Sequence, residues 1–109
     1  MKTICERMAL QIVPAIRALV ARDLIEAYNM TQKEAAKKLE MTQPGISQYK
    51  KHLRGVRTKI LESDSEISKN ISRISSSLAK NEMKSAEASS EICGICKYIR
   101  KRGLVKKIV

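Results

Sequence analysis

Apolar residues recur along the chain at three- and four-residue steps, the spacing of helices that bury one face. Pro14 interrupts the first series, and because proline lacks a backbone donor we predict a short helix before it and a longer one after it. No stretch alternates apolar and polar residues, so the pattern predicts an all-α fold. The first series, between residues 3 and 28, contains Ile4, Met8, Ile12, Ile16, Leu19, Val20, Leu24, Ile25 and Tyr28.

Two capping sequences follow the first series, eleven residues apart. Residues 31–34, TQKE, match a capping box, in which the Thr31 hydroxyl and the Glu34 carboxylate satisfy each other's backbone amides. Thr42 is a second N-cap, with Pro44 in the first turn, where its missing N–H is harmless. We therefore predict two short helices joined by a tight turn, the second ending near Gly55, which is the sequence signature of a helix-turn-helix.

The residues inside this segment fit that geometry. Ala36 lies where the two helices would cross, and Met41 can fill the turn between them. Leu39, Ile46 and Tyr49 can close a shared core. The outward face of the second helix then carries side chains suited to reading base edges in the major groove, because amides, hydroxyls and ammonium groups match the donors and acceptors displayed there. These predicted base-reading residues are Thr42, Gln43, Ser47, Gln48 and Lys51.

Basic residues surround this face and are predicted to contact DNA phosphates, which fix the register without reading sequence. The alternative is that the polar residues simply solvate a surface helix. The predicted phosphate contacts are Lys33, Lys37, Lys38, Lys50, Arg54 and Arg57.

Charge supports a polyanionic partner such as double-stranded DNA. The 109 residues contain 22 Lys and Arg against 11 Asp and Glu, a formal net charge of +11. Residues 31–60 alone carry eight basic and two acidic side chains, a local charge of +6. The positive charge therefore coincides with the predicted helix-turn-helix.

The segment TQKEAAKKLEMTQPGISQYKKHLR, Thr31–Arg54, resembles the helix-turn-helix of phage-repressor-like regulators. Together with PAIRALVARDLIEAY and a late CxxC, it makes the chain similar to a family of small archaeal predicted transcriptional regulators. The resemblance implies DNA binding, with Gln43, Ser47 and Gln48 at recognition-helix positions. Glu40 departs from the pattern, which has glycine there because the turn is left-handed.

The second half of the chain is predicted to be helical too. Between Thr58 and about Lys80 there is no Pro or Gly, and a last helix is predicted from about Met83 to Gly103. One stripe alternates four- and three-residue steps like a coiled-coil seam. We predict a helix-turn-helix domain over residues 1–57 and a C-terminal helical region over residues 58–109, in which this stripe either joins two chains as a homodimer or packs within one chain. The stripe consists of Ile67, Ile71, Ile74 and Leu78.

Three cysteines leave several chemistries open. Cys93 and Cys96 form a CxxC, and Cys5 is a third thiol if the chain's ends meet. They can pack as small apolar residues, act as a redox switch, or bind zinc or an iron–sulfur cluster, although a fourth cysteine is missing and His52 is a weak substitute. A thiol–disulfide enzyme is disfavoured because such enzymes place CxxC in a βαβ setting.

The remaining composition excludes other classes of protein. There is no apolar stretch long enough for a membrane span and no targeting signal, so we expect a cytoplasmic protein. No phosphate-binding glycine loop or catalytic constellation can be assembled, so we expect no enzyme. The sequence predicts a dimeric, sequence-specific transcriptional regulator; the alternatives are a non-specific architectural DNA-binding protein and a redox- or metal-responsive regulator that uses the three cysteines.

Overall fold

The computed structural model describes residues 11–48, 51, 53 and 56–103, and for Gln43, Val56 and Arg57 the backbone only. This part of the chain is helical and contains no strand, which confirms the all-α prediction. Helix α1 continues into a π-helical segment, Asp23–Ala27. The helices are α1 Val13–Arg22, α2 Gln32–Leu39, α3 Gln43–Ser47, α4 Val56–Ser63, α5 Ser65–Ala79 and α6 Ser85–Lys101.

Helix α1 is the centre of the fold. Pro14 lies in its first turn, where a helix needs no donor. Gln11 and Ile12 directly before α1 are π-helical and run into it, so the described residues show no break at Pro14. The short helix predicted before Pro14 lies outside the described residues. Ile16, Leu19 and Val20 are buried, and α1 packs against α2, α4, α5 and α6.

One hydrophobic cluster joins the two predicted regions. Ala35 and Ile46 from the first region and Leu61, Ile92 and Ile99 from the second all belong to it. The helices on either side of residue 57 therefore share a core and stabilise each other.

Of the two roles predicted for the α5 stripe, the structure shows packing within one chain rather than a dimer seam. Ile67, Ile71, Ile74 and Leu78 retain 0%, 5%, 0% and 1% of their exposure, because α5 turns this stripe toward α1 and α6 of the same chain. The apolar face of α6 is also internal, since Ile92, Ile95 and Ile99 are buried. Intramolecular packing thus uses the side chains that a coiled coil between two chains would need.

The predicted helix through residues 58–80 is divided at Asp64. Its backbone is extended, and its Oδ1 accepts hydrogen bonds from the amides of Glu66 (3.0 Å) and Ile67 (3.1 Å), so it caps α5. The Tyr98 hydroxyl donates to the same carboxylate at 3.2 Å. The sequence offers no Pro or Gly here, and only the capping contact reveals the break.

Helices α5 and α6 are antiparallel. Asp64 at the start of α5 meets Tyr98 near the end of α6, and Arg73 further along α5 pairs with Glu91 at 2.7 Å. This arrangement places the outer face of α6 on the surface.

Candidate nucleic-acid interface

The capping box at the start of α2 is confirmed. Thr31 Oγ1 accepts from the Glu34 amide at 3.1 Å, and Glu34 Oε1 accepts from the Thr31 amide at 3.3 Å. Two amides that the helix itself cannot satisfy are thus paired locally. The position where α2 begins is therefore fixed by four consecutive residues.

The turn between α2 and α3 adopts the left-handed conformation expected at its glycine-like position. Glu40 has φ 52° and ψ 43°, and the Met41 amide donates to the Ala36 carbonyl at 2.9 Å. A residue with a β-carbon costs roughly 1 kcal/mol in this conformation. The turn forms in spite of that cost.

Helix α3 begins at the second predicted cap. Thr42 Oγ1 accepts from the Gly45 amide at 3.2 Å. A β-carbon added at Gly45 would lie 3.1 Å from that oxygen and 3.6 Å from Met41 Cε, so glycine permits a close approach. The α3 helix ends at Ser47, earlier than the predicted end near Gly55; Lys51 is again helical, and Gly55 lies outside the described residues.

Small and branched residues hold α2 against α3. Ala36 and Ile46 are buried, whereas Leu39 and Met41 are half-buried against the core, as expected for a crossing of two short helices. Tyr49, predicted to join them, lies outside the described residues. We call residues 31–48 the α2–α3 unit.

The described side chains among the predicted base readers are exposed. These are Thr42, Ser47, Gln48 and Lys51; the Gln43 side chain lies outside the described part. Ser47 Oγ donates to the Pro44 carbonyl at 3.0 Å, which leaves its oxygen free to accept. Gln48 makes no side-chain hydrogen bond with any other described residue, so its amide can still both donate and accept.

The predicted phosphate contacts divide into three groups. Lys33 and Lys37 are exposed, and neither pairs with an acidic side chain of the described residues. Lys38 is half-buried and donates its ammonium to Asn81 Oδ1 in the α5–α6 loop, so part of its hydrogen-bonding capacity is used within the chain and its phosphate contact stays a prediction. The others lie outside the described residues: Lys50, Arg54 and the side chain of Arg57.

The ion pairs of the described residues lie away from the α2–α3 unit. Arg22 pairs with Glu62 at 3.0 Å and with Asp23 at 3.6 Å, and Arg73 pairs with Glu91. The cations of α1 and α5 that have acidic neighbours are thus partly neutralised, while Lys33, Lys37 and Lys51 form no ion pair with any described residue. An unpaired cation is the kind that gains most from a phosphate.

Two further cations, Arg17 and Lys84, adjoin the α2–α3 unit, and the sequence analysis did not predict either as a DNA contact. Exposed Arg17 and Gln48 line a cavity of about 230 Å³ between α1 and α3. Lys84 lines an open groove of about 620 Å³ together with Lys37. Neither follows from local sequence patterns, because α1 and the α5–α6 loop reach the α2–α3 unit only through tertiary packing.

The cysteines lie on α6, away from any complete ligand set. Cys93 is exposed and Cys96 is half-buried, and burial, followed by the charge of neighbouring Cys93, raises the pKa of the Cys96 thiol. Cys5 and His52 lie outside the described residues. Within the described ranges, no three His, Cys, Asp or Glu side chains are grouped so as to hold a metal ion.

No helix in the described part of the chain has the length and apolar character needed to cross a membrane. Comparison with protein-family models, curated proteins and solved structures finds no match to this chain. Any functional assignment therefore depends on the chain's own geometry and chemistry.

Proposed function

We propose that the protein is a cytoplasmic, non-enzymatic transcriptional regulator that binds double-stranded DNA sequence-specifically through a helix-turn-helix, the α2–α3 unit. The observation that carries the proposal is an exposed polar row in and immediately beside α3, flanked by lysines that have no acidic partner among the described residues. The row comprises Thr42, Ser47, Gln48 and Lys51. The two matched threonine caps and the left-handed turn support the proposal, because they hold the two short helices at a fixed angle.

Base reading is assigned to polar residues in and immediately beside α3. A glutamine amide can donate to and accept from one adenine at once, which no other base edge in the major groove matches equally well. Gln48 has its amide available, and Gln43 at the start of α3 is the second amide of this set. Thr42, Ser47 and Lys51 add a donor, an acceptor and a cation on the same row.

Phosphate contacts are assigned to the unpaired cations. Lys33 and Lys37 flank the row on α2, and Arg17 extends it from α1. Lysine and arginine contacts of this kind orient a protein on the duplex, and their contribution weakens with salt. The region from residue 31 to residue 60 carries +6, which supplies the field for this role.

The experiment is selection of bound duplexes from a random pool, followed by titration of the selected site and of random DNA. We expect a defined site, and we expect Gln48→Ala to lower the preference for that site by about 5- to 150-fold, the equivalent of roughly 1–3 kcal/mol for a paired amide–adenine contact. Lys37→Ala should instead weaken binding to all sequences alike and reduce the log–log salt slope by about 0.9.

Lys69→Ala is the matched control for Lys37→Ala, because Lys69 is an exposed lysine on α5 outside the α2–α3 unit. It should leave both the affinity for DNA and the salt slope unchanged. If the selection returns no preferred sequence while binding remains tight and salt-dependent, the protein is an architectural DNA-binding protein and base reading is refuted. If Gln48→Ala weakens specific and random binding equally, the assignment of Gln48 is wrong.

A further inference from the structure

The outer face of α6 lies outside the proposed DNA interface, and only its edge at half-buried Cys96 contacts the core. Ile92, Ile95 and Ile99 point inward, which leaves exposed Cys93 and half-buried Cys96 one helical turn apart at the surface. Residues three apart on a helix are neighbours, so both thiols can be approached from one side.

Gly94 between them has no packing role among the described residues. It lies in the helix interior, where glycine is less stable than alanine, yet a β-carbon added there would meet nothing within 4 Å. The residues one turn earlier, Ser89 and Ser90, are also small and exposed. The backbone of a second element can therefore come close to the thiols.

We propose that Cys93 and Cys96 from two copies of this chain bind one Zn²⁺ ion in a tetrahedral four-thiolate site that joins two α6 helices. Structural zinc takes four ligands, and a CxxC supplies two of them. A two-fold axis presents the same residues twice, so two copies complete the set. The described residues of one chain offer no third ligand beside the pair.

The charge balance of the site favours this arrangement. Four thiols release four protons to solvent when they bind Zn²⁺ as thiolates, which leaves a site of charge −2. Exposed Lys97 lies one turn after Cys93 on the same helix, so each chain places a cation beside that negative site. A paired site of this kind also provides a dimer contact that does not need the buried α5 stripe.

The proposal is tested on the full chain, purified under reducing conditions and loaded with Zn²⁺ alone. Native mass spectrometry and elemental analysis should give a dimer with one zinc per two chains, and a chelator should return it to monomer. Co²⁺ in place of Zn²⁺ should show the absorption of a tetrahedral thiolate complex. Cys93→Ser and Cys96→Ser should each abolish zinc binding and dimerisation while circular dichroism shows unchanged helix content.

Cys5→Ser is the matched control, since it removes the third thiol of the sequence. It should change neither the ratio of zinc to protein nor the dimeric state. Zinc bound by a monomer, or loss of the site in Cys5→Ser, would overturn the proposal in favour of a site within one chain. A metal-free dimer that disappears on reduction would replace it with an intermolecular disulfide. A protein that stays monomeric with Zn²⁺ would also refute it.

Failure of the zinc proposal can be distinguished from failure of the DNA-binding proposal. If both proposals hold, Cys93→Ser keeps the affinity for DNA with a single half-site and loses the added affinity for DNA with two half-sites. If DNA reading fails while zinc joins two chains, mass and metal content still show the dimer, whereas no half-site is selected.

Discussion

The α2–α3 unit and the α5–α6 pair are both pairs of helices, but the first leaves a polar row exposed whereas the second buries an apolar stripe. In the α2–α3 unit, two local caps and a left-handed residue set the geometry, and lysines that pair with no described acidic residue surround an exposed polar row. In the α5–α6 pair, the apolar stripe is buried, Arg73 is paired with Glu91, and a cap at Asp64 is reinforced across helices by Tyr98. Local signals thus predict where a helix begins, whereas packing decides which of its faces remains available.

The largest effect should come from the buried stripe of α5. Ile74→Ala removes a fully buried side chain and should lower the free energy of unfolding by about 2–5 kcal/mol. Because both regions share one core, urea unfolding followed by circular dichroism should show a single shifted transition. Ser72→Ala, exposed on the same helix, should change little. Two separate transitions, with the α2–α3 unit unaffected, would contradict a shared core.

The cap of α5 should have the next largest effect. Asp64→Ala removes the acceptor of two backbone amides and of the Tyr98 hydroxyl, and we expect a loss of about 1–2 kcal/mol in the free energy of unfolding. Asp64→Asn keeps an oxygen for the cap and should lose clearly less. Equal losses in the two variants, measured by urea titration, would show that charge rather than capping stabilises this junction.

The turn of the α2–α3 unit should respond in the opposite direction. Glu40→Gly relieves a left-handed residue and should raise the free energy of unfolding by up to about 1 kcal/mol. Glu40→Ala, which keeps a β-carbon, is the control and should give no such gain. Thermal unfolding of the two variants and the parent protein measures these changes in stability. A gain from alanine as large as that from glycine would place the effect in the removed charge instead of the backbone.

The smallest effect concerns the contact between α6 and the start of α5. Partial burial, and after it the Asp64 carboxylate, raise the pKa of Tyr98 above its usual value. The folded state therefore holds this proton more tightly than the unfolded state, so the stability it contributes is present at neutral pH and declines as pH rises past about 10. Urea midpoints should show Tyr98→Phe differing from the parent less at alkaline than at neutral pH. A constant difference across that range would contradict this linkage.

Predictions from the sequence were most accurate where structure is decided by neighbours along the chain. The capping box at Thr31 and the cap at Thr42 follow from residues within one helical turn, and the structure confirms them. The left-handed conformation at Glu40 was implied by the resemblance, since glutamate itself does not favour it. The break at Asp64 was missed because a serine-rich stretch without Pro or Gly contains no strong helix stop. The contact of Lys38 with Asn81 was missed because it joins residues 43 positions apart.

The amino-acid sequence by itself determined the all-α class, the boundaries of α2 and the start of α3, and the concentration of positive charge between residues 31 and 60, because caps, periodicity and composition are local or additive properties. Only the tertiary structure decided that the α5 stripe is core, that Arg17 and Lys84 adjoin the α2–α3 unit, and that Cys93 is exposed while Cys96 is half-buried. The exposure of a side chain depends on which elements pack together. The same periodic apolar stripe can be buried against helices of its own chain or against a second chain, so its spacing alone does not distinguish the two.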